Sequence, residues 1–278
     1  MGLRINTNIA AMASARSLAG SSEAQAKTYE RLASGQRINH AGDDAAGMSI
    51  SENLRSQVRS IGQAERNAQD GISFSQVAEG GLTEIGNAMV RLRELAVQAA
   101  SDTVGDKERS YINQEVQTMV QEVDRIANVT NFNGTHLLNG QSDKGELEFQ
   151  VGIRNSEADR IKFKADENDV RASTLGIDGL DYTSIDGARE AMNRVDDAVG
   201  KVFEARARLG ATQNKLHSTV NNLAVEKENL SAARSRIADA DIAQETSELV
   251  RGNILQQTGI AVLAQANQST ASALRLVG

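Results

Sequence analysis

No cysteine, proline or tryptophan occurs among the 278 residues, and aromatics make up only 3% of them. Without cysteine there is no disulfide, no thiolate metal ligand and no sulfur nucleophile, and the chain is indifferent to the redox state of its compartment. At average usage a chain of this length would carry about 14 prolines; with none, nothing interrupts long helices. So few aromatics leave an apolar fraction of 40% made of small and aliphatic side chains, which suit helix seams better than one large globular core. Basic charge is also short. Against 37 Asp and Glu there are 30 Lys and Arg, a net charge of -7, which opposes the basic face a nucleic-acid partner requires.

Charge is scarcest at the two ends. Residues 252–278 carry only Arg275, and residues 1–22 only Arg4 and Arg16. Ordinary termini are polar and solvated. Here Ile5, Ile9 and Met12 at one end, and Leu255, Val262, Leu263 and Leu276 at the other, recur among Ala, Gln, Asn and Ser. Such ends call for burial, and Gln256, Gln257, Gln265, Asn267 and Gln268 interrupt any run of about 20 apolar residues that could span a membrane. Burial against protein is the expectation, with these seven residues as candidates for self-assembly. The start, Met1-Gly2-Leu3-Arg4-Ile5-Asn6, lacks the apolar core and cleavage site of a secretory signal.

A period of seven runs through Val195, Val202, Leu209, Leu216, Leu223, Leu230 and Ile237, with Ala198, Ala205, Ala233 and Ala240 three residues on. That is a coiled-coil seam, about 63 Å long at 1.5 Å per residue, weakened at Thr212, Thr219 and Glu226. Leu54, Val58, Ile61, Ala68, Ile72, Leu82, Ile85, Met89, Leu92 and Ala99 supply a helical partner, with Gly80-Gly81 as a candidate irregularity. A further helix is predicted from Ile112, Val116, Met119, Val123 and Ile126, with Asp106 placed to cap it. Between the halves the period changes to two. Leu147, Phe149, Val151 and Ile153, then Ile161, Phe163 and Ala165, predict a β-hairpin, preceded by turn signals at Asn133-Gly134 and Asn139-Gly140. A Gly- and Asp-rich run over 176–187 leads back to the long helix. The predicted fold is mainly α: a long antiparallel coiled-coil-like helical rod with a small β-hairpin tip and paired N- and C-terminal helices.

Chemistry is not signalled. His40, His136 and His217 share no metal-ligand spacing, and no phosphate-binding, dinucleotide or nucleophile-elbow motif occurs. Asp43-Asp44 beside Gly42 reads as a helix cap or turn, and Asp239 and Asp241 as a solvated stretch. The run Arg91-Leu92-Arg93-Glu94-Leu95-Ala96-Val97-Gln98 is a mixed helix face, open to solvent or to a subunit. No cofactor, metal or catalytic residue is expected.

Several co-linear stretches resemble bacterial flagellin. Leu3-Arg4-Ile5-Asn6-Thr7-Asn8-Ile9, Arg31-Leu32-Ala33-Ser34-Gly35, Ala41-Gly42-Asp43-Asp44-Ala45-Ala46-Gly47 and Gln63-Ala64-Glu65-Arg66-Asn67 are similar to the family's amino-terminal signature. Glu228-Asn229-Leu230-Ser231-Ala232-Ala233-Arg234-Ser235-Arg236-Ile237 and Ile254-Leu255-Gln256-Gln257 resemble its carboxy-terminal one. The resemblance implies an extracellular filament subunit for swimming, exported through the flagellar type III channel without a cleaved signal, and capable of helical self-polymerisation. It also implies flagellar cap and hook-associated proteins and an export chaperone as partners. By resemblance, 1–45 with 240–278 form an inner-tube terminal domain, 46–140 with 185–239 an outer wall, and 141–184 a hairpin region in place of large outer domains. The family's recognition site for Toll-like receptor 5 maps onto Arg91, Leu95, Gln98 and Glu115. The alternative is the hook-filament junction protein, which resembles flagellin at both ends. A flagellin-related protease would need an HExxH motif, which is absent, and a coiled-coil adhesin would not explain the uncharged ends.

Overall fold

In the computed structural model, residues 7–141 and 146–277 are described, the side chains of 269–277 excepted. Six α-helices and two small antiparallel sheets are present among them: α1 (Ile9–Ser34), α2 (Ala45–Ala99), α3 (Asp106–Val129), β1 (Asn131–Phe132), β2 (Thr135–His136), β3 (Glu146–Gln150), β4 (Arg160–Lys164), α4 (Ala172–Leu175), α5 (Ile185–Ala238) and α6 (Ile242–Val277). The chain divides into two compact units, Met1–Val58 with Glu228–Gly278, and Arg59–Lys227. The first is the terminal unit and the second the central unit.

In the central unit, α2 and α5 run antiparallel, held along their edges by Arg93 with Asp196 at 2.6 Å, Gln213 with Glu79 at 2.9 Å, and Lys227 with Glu65 at 3.1 Å. The heptad positions Val195, Ala198, Val202, Ala205, Leu209, Leu216 and Leu223 are buried against this partner side of the core. Thr212 and Thr219 are half-buried, so the seam continues through them with less apolar area. Contrary to the expectation at Gly80-Gly81, α2 is unbroken there. A Cβ on Gly81 would lie 2.7 Å from Leu138 Cδ1 and 2.8 Å from Thr130 Oγ1, so this glycine allows the segment after α3 to approach the helix backbone.

Asp106 does not cap α3. The N-cap is Gly105, without a side-chain bond, and Asp106 is the first helical residue. Its carboxylate accepts instead from Arg109 Nη1 at 2.9 Å, while Arg109 Nε donates to the Ala99 carbonyl at 2.9 Å and Nη2 to the Ser101 carbonyl at 3.1 Å. This buried guanidinium satisfies the Ala99 carbonyl at the end of α2 and shares the Ser101 carbonyl with the Val104 amide.

Asn133 and Gly134 turn between β1 and β2, both with positive φ (50° and 79°), as the tight turn of a two-residue hairpin demands. The second hairpin pairs Leu147 with Phe163 and Phe149 with Ile161, the register that period-two alternation predicts. β3 ends at Gln150, earlier than the apolar pattern, because Val151 leaves the ladder and bonds from its amide to the Asp159 carbonyl at 2.8 Å. Phe74 on α2 meets Phe132, Phe149 and Phe163 edge-on at centroid distances of 5.8, 5.4 and 4.7 Å. Four of the five phenylalanines thus form one knot that fastens both hairpins to the helices.

The Gly- and Asp-rich run is more ordered than its composition suggests. Ile177, Leu180 and Tyr182 are fully buried. Polar side chains of α3 hold it: Asp124 accepts from the Ala172 amide at 2.7 Å, Gln117 donates to the Leu180 carbonyl at 2.8 Å, and Asn113 accepts from the Tyr182 amide at 3.1 Å. The Tyr182 hydroxyl donates to the Leu92 carbonyl at 3.0 Å, and burial pushes its pKa up to about 12. Because an unfolded tyrosine titrates near 10, the native state holds the proton that the unfolded state has lost. Stability is therefore full below pH 10 and falls by about 1.4 kcal/mol per pH unit from there to about 12. Phenolate absorbance should show one tyrosine resisting ionisation until near pH 12, and a Tyr182→Phe chain should lack that step.

Candidate functional site

The terminal unit brings the two uncharged ends together. Asn8 caps α1, its Oδ1 accepting from the Ala11 amide at 3.0 Å, and its Nδ2 donates to the Ala266 carbonyl at 2.9 Å. Asp241 caps α6 by accepting from the Ala243 and Gln244 amides at 2.9 and 3.2 Å. Asp44 caps α2 by accepting from the Gly47 amide at 2.8 Å, and Asp43 folds back onto the Asn39 and His40 amides. Hydrogen bonding to the His40 amide holds the Asp43 carboxyl below its usual range. Asp44 is thus a cap and Asp43 shapes the turn before it, as their setting beside Gly42 suggests, whereas Asp241, expected only in a solvated stretch, is an exposed cap.

Helices α1 and α6 pair antiparallel. Gln25 Nε2 donates to Asn253 Oδ1 at 2.6 Å, Arg31 Nη1 to Glu245 Oε1 at 3.3 Å, and Gly259 faces Leu18 closely enough that a Cβ there would sit 3.2 Å from Leu18 Cδ1. Where α1 ends, Gly35 takes the left-handed conformation (φ 68°), and Gln36 forms an antiparallel bridge with Asp239. The Arg37 amide donates to the Ala238 carbonyl at 2.7 Å and the Ala240 amide to the Gly35 carbonyl at 2.9 Å.

This seam is made mostly of small and polar residues. Gln25 and Thr28 are its buried members on α1, with Ala11, Ser14, Leu18 and Ser21 half-buried in line with them, and Gly252, Asn253, Gln256, Gly259 and Ala266 opposite on α6. Leu18, Leu249 and Leu263 also turn half-buried into the seam, whereas the other large aliphatics flank it or face solvent. Ile9 is 66% exposed, Met12 56%, Leu255 53% and Val262 50%, and Ile254 and Ile260 exceed half as well. Of the other sequence candidates, Leu263 is half-buried, four residues past Gly259 on the α1-facing side. Ile5 and the side chain of Leu276 lie outside the described residues. An open groove of about 370 Å³, lined by Ser14, Leu18, Ser21, Leu255, Gly259 and Val262, runs along the pair. The pairing of the two terminal helices is legible in the sequence, but the side chains that line it are not, because Gln25, Thr28 and Asn253 carry no apolar signal.

The second candidate surface lies on the central unit. Arg91 Nε and Nη2 donate to Glu115 Oε1 at 3.1 and 2.9 Å, and Nη1 donates to Glu94 Oε2 at 3.1 Å. The Glu115 hydrogen bond, with Glu94 adding to it, raises the Arg91 pKa above its ordinary value. Arg91, Gln98 and Glu115 are exposed, whereas Leu95 is buried in the core with Leu92 and Ala96.

Among the described residues, no cluster of three His, Asp or Glu could hold a metal ion, and no helix is long and apolar enough to cross a membrane. Two long helices paired antiparallel, a small β element folded onto them, and chain ends joined through a seam that leaves aliphatics outside define a mainly helical structural protein of the self-assembling kind. The bacterial flagellin N-terminal helical region matches residues 5–143 and the bacterial flagellin C-terminal helical region matches residues 192–277; the chain belongs to the bacterial flagellin family. It is a structural subunit of the flagellar filament, not an enzyme.

Flagellin of Halalkalibacterium halodurans is 42% identical over 273 residues, 98% of this chain and 99% of the relative. Flagellin of Bacillus subtilis is 40% identical over 304 residues, covering 99% and 100%. Among solved structures, Bacillus cereus flagellin superposes with a TM-score of 0.51 at 28% identity over 61% of this chain and 94% of that one. A putative flagellar hook-associated protein from Vibrio parahaemolyticus gives a TM-score of 0.58 over 71% of this chain and 100% of that one. At 14% identity this last likeness shows the fold alone, and the junction-adaptor alternative has no better support than that.

Proposed function

We propose that the paired ends are the seam through which copies of the chain join, with Ile9, Met12, Leu255 and Val262 carrying the contact and Ile5, Leu263 and Leu276 completing it. The single observation that supports this is what the α1–α6 pair leaves uncovered: its buried members are polar, Gln25, Thr28 and Glu245, while Ile9, Met12, Leu255 and Val262 stay exposed. Removing an exposed aliphatic side chain from water contributes about 1.5–3 kcal/mol, and a helix pair that faces this much apolar surface outward gains most of its stability only when neighbours cover it. In this reading 1–45 and 240–278 line the inner tube, 46–140 and 185–239 form the wall, and 141–184 is the hairpin region. Purified monomer mixed with short filament seeds should yield long tubes of uniform width by negative-stain electron microscopy. Persistent monomers or short stubs in every condition would return the junction adaptor to first place.

The subunit works outside the cell in the filament, and the finer route is part of the same proposal: export through the flagellar type III channel without a cleaved signal, with an export chaperone, the cap and hook-associated proteins as partners. Toll-like receptor 5 is the proposed host partner of Arg91, Gln98 and Glu115. Leu95, being buried, supports that face from beneath. The Arg91–Glu115 pair fixes the guanidinium on an exposed helix face, and truncating Arg91 removes a rigid charged anchor of the kind that dominates interfaces. Arg91→Ala monomer should signal at least about tenfold more weakly in reporter cells, a loss of about 1.4 kcal/mol or more. Signalling equal to the parent would discard this assignment.

A further inference from the structure

Five of the six methionines fall within the described residues, and their surroundings differ sharply. Met89 is fully buried, Met119 and Met192 pack against the central core, and Met48 is half-buried. Met12 alone among them is exposed, at 56%, and it sits on α1 beside Ile9, turned away from the seam formed by Ala11 and Ser14. The described part of α1 near it carries no charge before Arg16. An accessible thioether is therefore displayed on the face that has to become dry. Thioether oxidation converts a flexible apolar side chain into a polar one and is reversed by methionine sulfoxide reductases.

We propose that Met12 is a reversible oxidation site that decides whether a free subunit can be added to the filament. The inference rests on the reading of the α1–α6 pair as the assembly seam. In the reaction the Met12 sulfur attacks one oxygen of hydrogen peroxide and an S–O bond forms as the O–O bond breaks. The departing hydroxide takes the proton of the transferred oxygen and leaves as water. Sulfur is oxidised by two electrons and the peroxide is reduced by two. The sulfoxide oxygen then needs a hydrogen-bond donor: Ile9, one turn back on α1, is aliphatic, and Arg16, one turn on, supplies one only by carrying its own charge into the dry contact. Burying it unpaired excludes the oxidised subunit. A subunit already incorporated is protected, because the same contact that needs the thioether covers it.

The test uses the full-length chain. Monomer is treated briefly with dilute hydrogen peroxide, the peroxide is destroyed with catalase, and untreated seeds are added. Filaments are sedimented, and the Met12 peptide is quantified by mass spectrometry in pellet and supernatant. Met12 sulfoxide should form well before Met89 sulfoxide and be depleted roughly tenfold in the pellet, as an unpaired buried polar group implies. Met12→Leu chains, whatever their own basal rate, should elongate equally fast with and without the peroxide treatment, which separates Met12 from any effect at Met1, and methionine sulfoxide reductase should restore the oxidised wild type. Equal representation of the sulfoxide in pellet and supernatant, or loss of elongation by treated Met12→Leu equal to that of wild type, would overturn the inference while leaving the seam intact. Failure of untreated monomer to elongate seeds would sink the seam reading and this inference with it.

Discussion

A chain lacking residues 253–278 is expected to build no filament at any concentration, while its central unit stays folded. The truncation removes Asn253, Gly259 and Ala266 from the seam and Ile254, Leu255, Ile260 and Val262 from the outward face, so α1 loses both its partner and its neighbours' docking surface. The central unit shares none of these contacts; its core is built from residues between Phe74 and Leu209, with a smaller cluster around Ala68, Val151, Ile161 and Leu216. Helical circular dichroism should therefore fall only by the contribution of the terminal helices. A gentler variant isolates the outward face. Val262→Asp keeps the helix pair but asks an unpaired carboxylate to be buried between subunits, at about 3–5 kcal/mol. That raises the critical concentration for seeded growth by at least about a hundredfold. Long tubes from the truncated chain, or a critical concentration unchanged by Val262→Asp, would show that the ends are not the seam.

Phe74→Ala should be among the most destabilising single changes in the central unit. Phe74 is 3% exposed and stands at the centre of the knot with Phe132, Phe149 and Phe163. Removing a buried phenylalanine costs about 3–5 kcal/mol, and each edge-on pair adds about 0.5–1.5 kcal/mol beyond burial. At about 2–4 °C per kcal/mol for a unit of this size, the main calorimetric transition should drop by at least about 10 °C. Phe203→Ala, at a residue 55% exposed, should leave the monomer's transition in place. A Phe74→Ala shift no larger than that of Phe203→Ala would mean that the knot is not what fastens the hairpins to α2.

The parts of this fold that follow from local pattern were readable before any coordinates. Leu209, Leu216 and Leu223 recur every seven residues and are buried; Leu147 and Phe149 pair across from Phe163 and Ile161 as their alternation requires. Asn133-Gly134 turns because both positions need positive φ. What escaped the sequence depends on residues distant in the chain. Gly81 looks like a helix weakness until Thr130 and Leu138 are seen against it. Asp106 looks like a cap until Arg109 claims its carboxylate. Ile177, Leu180 and Tyr182 sit in a run whose glycines and aspartates suggest an open loop, and only the side chains of Asn113 and Gln117 reveal that it is held down. The family resemblance groups Leu95 with Arg91, yet one faces the core and the other solvent: the two are only about 40° apart around α2, and the edge of the buried stripe falls between them, with Leu95 packed beside Leu92 and Arg91 held outside by Glu115. The α1–α6 seam was the hardest to read, since a hydrophobic pattern assigns the aliphatics inward and here Gln25 and Thr28 take that place.

The bonds that hold α1 to α6 join residues 258, 228 and 214 positions apart, at Asn8–Ala266, Gln25–Asn253 and Arg31–Glu245. A ribosome adding about 5–20 residues per second delivers the first helix roughly ten to fifty seconds before the last. During that interval the central unit has everything it needs once Lys227 has emerged, whereas the opening helix waits with no partner in existence. The order of synthesis thus acts as a timer on the assembly surface. Any partner that held the final helix as it appeared would keep the first one unpaired too, since the bonds that fix one end of the chain are those that fix the other.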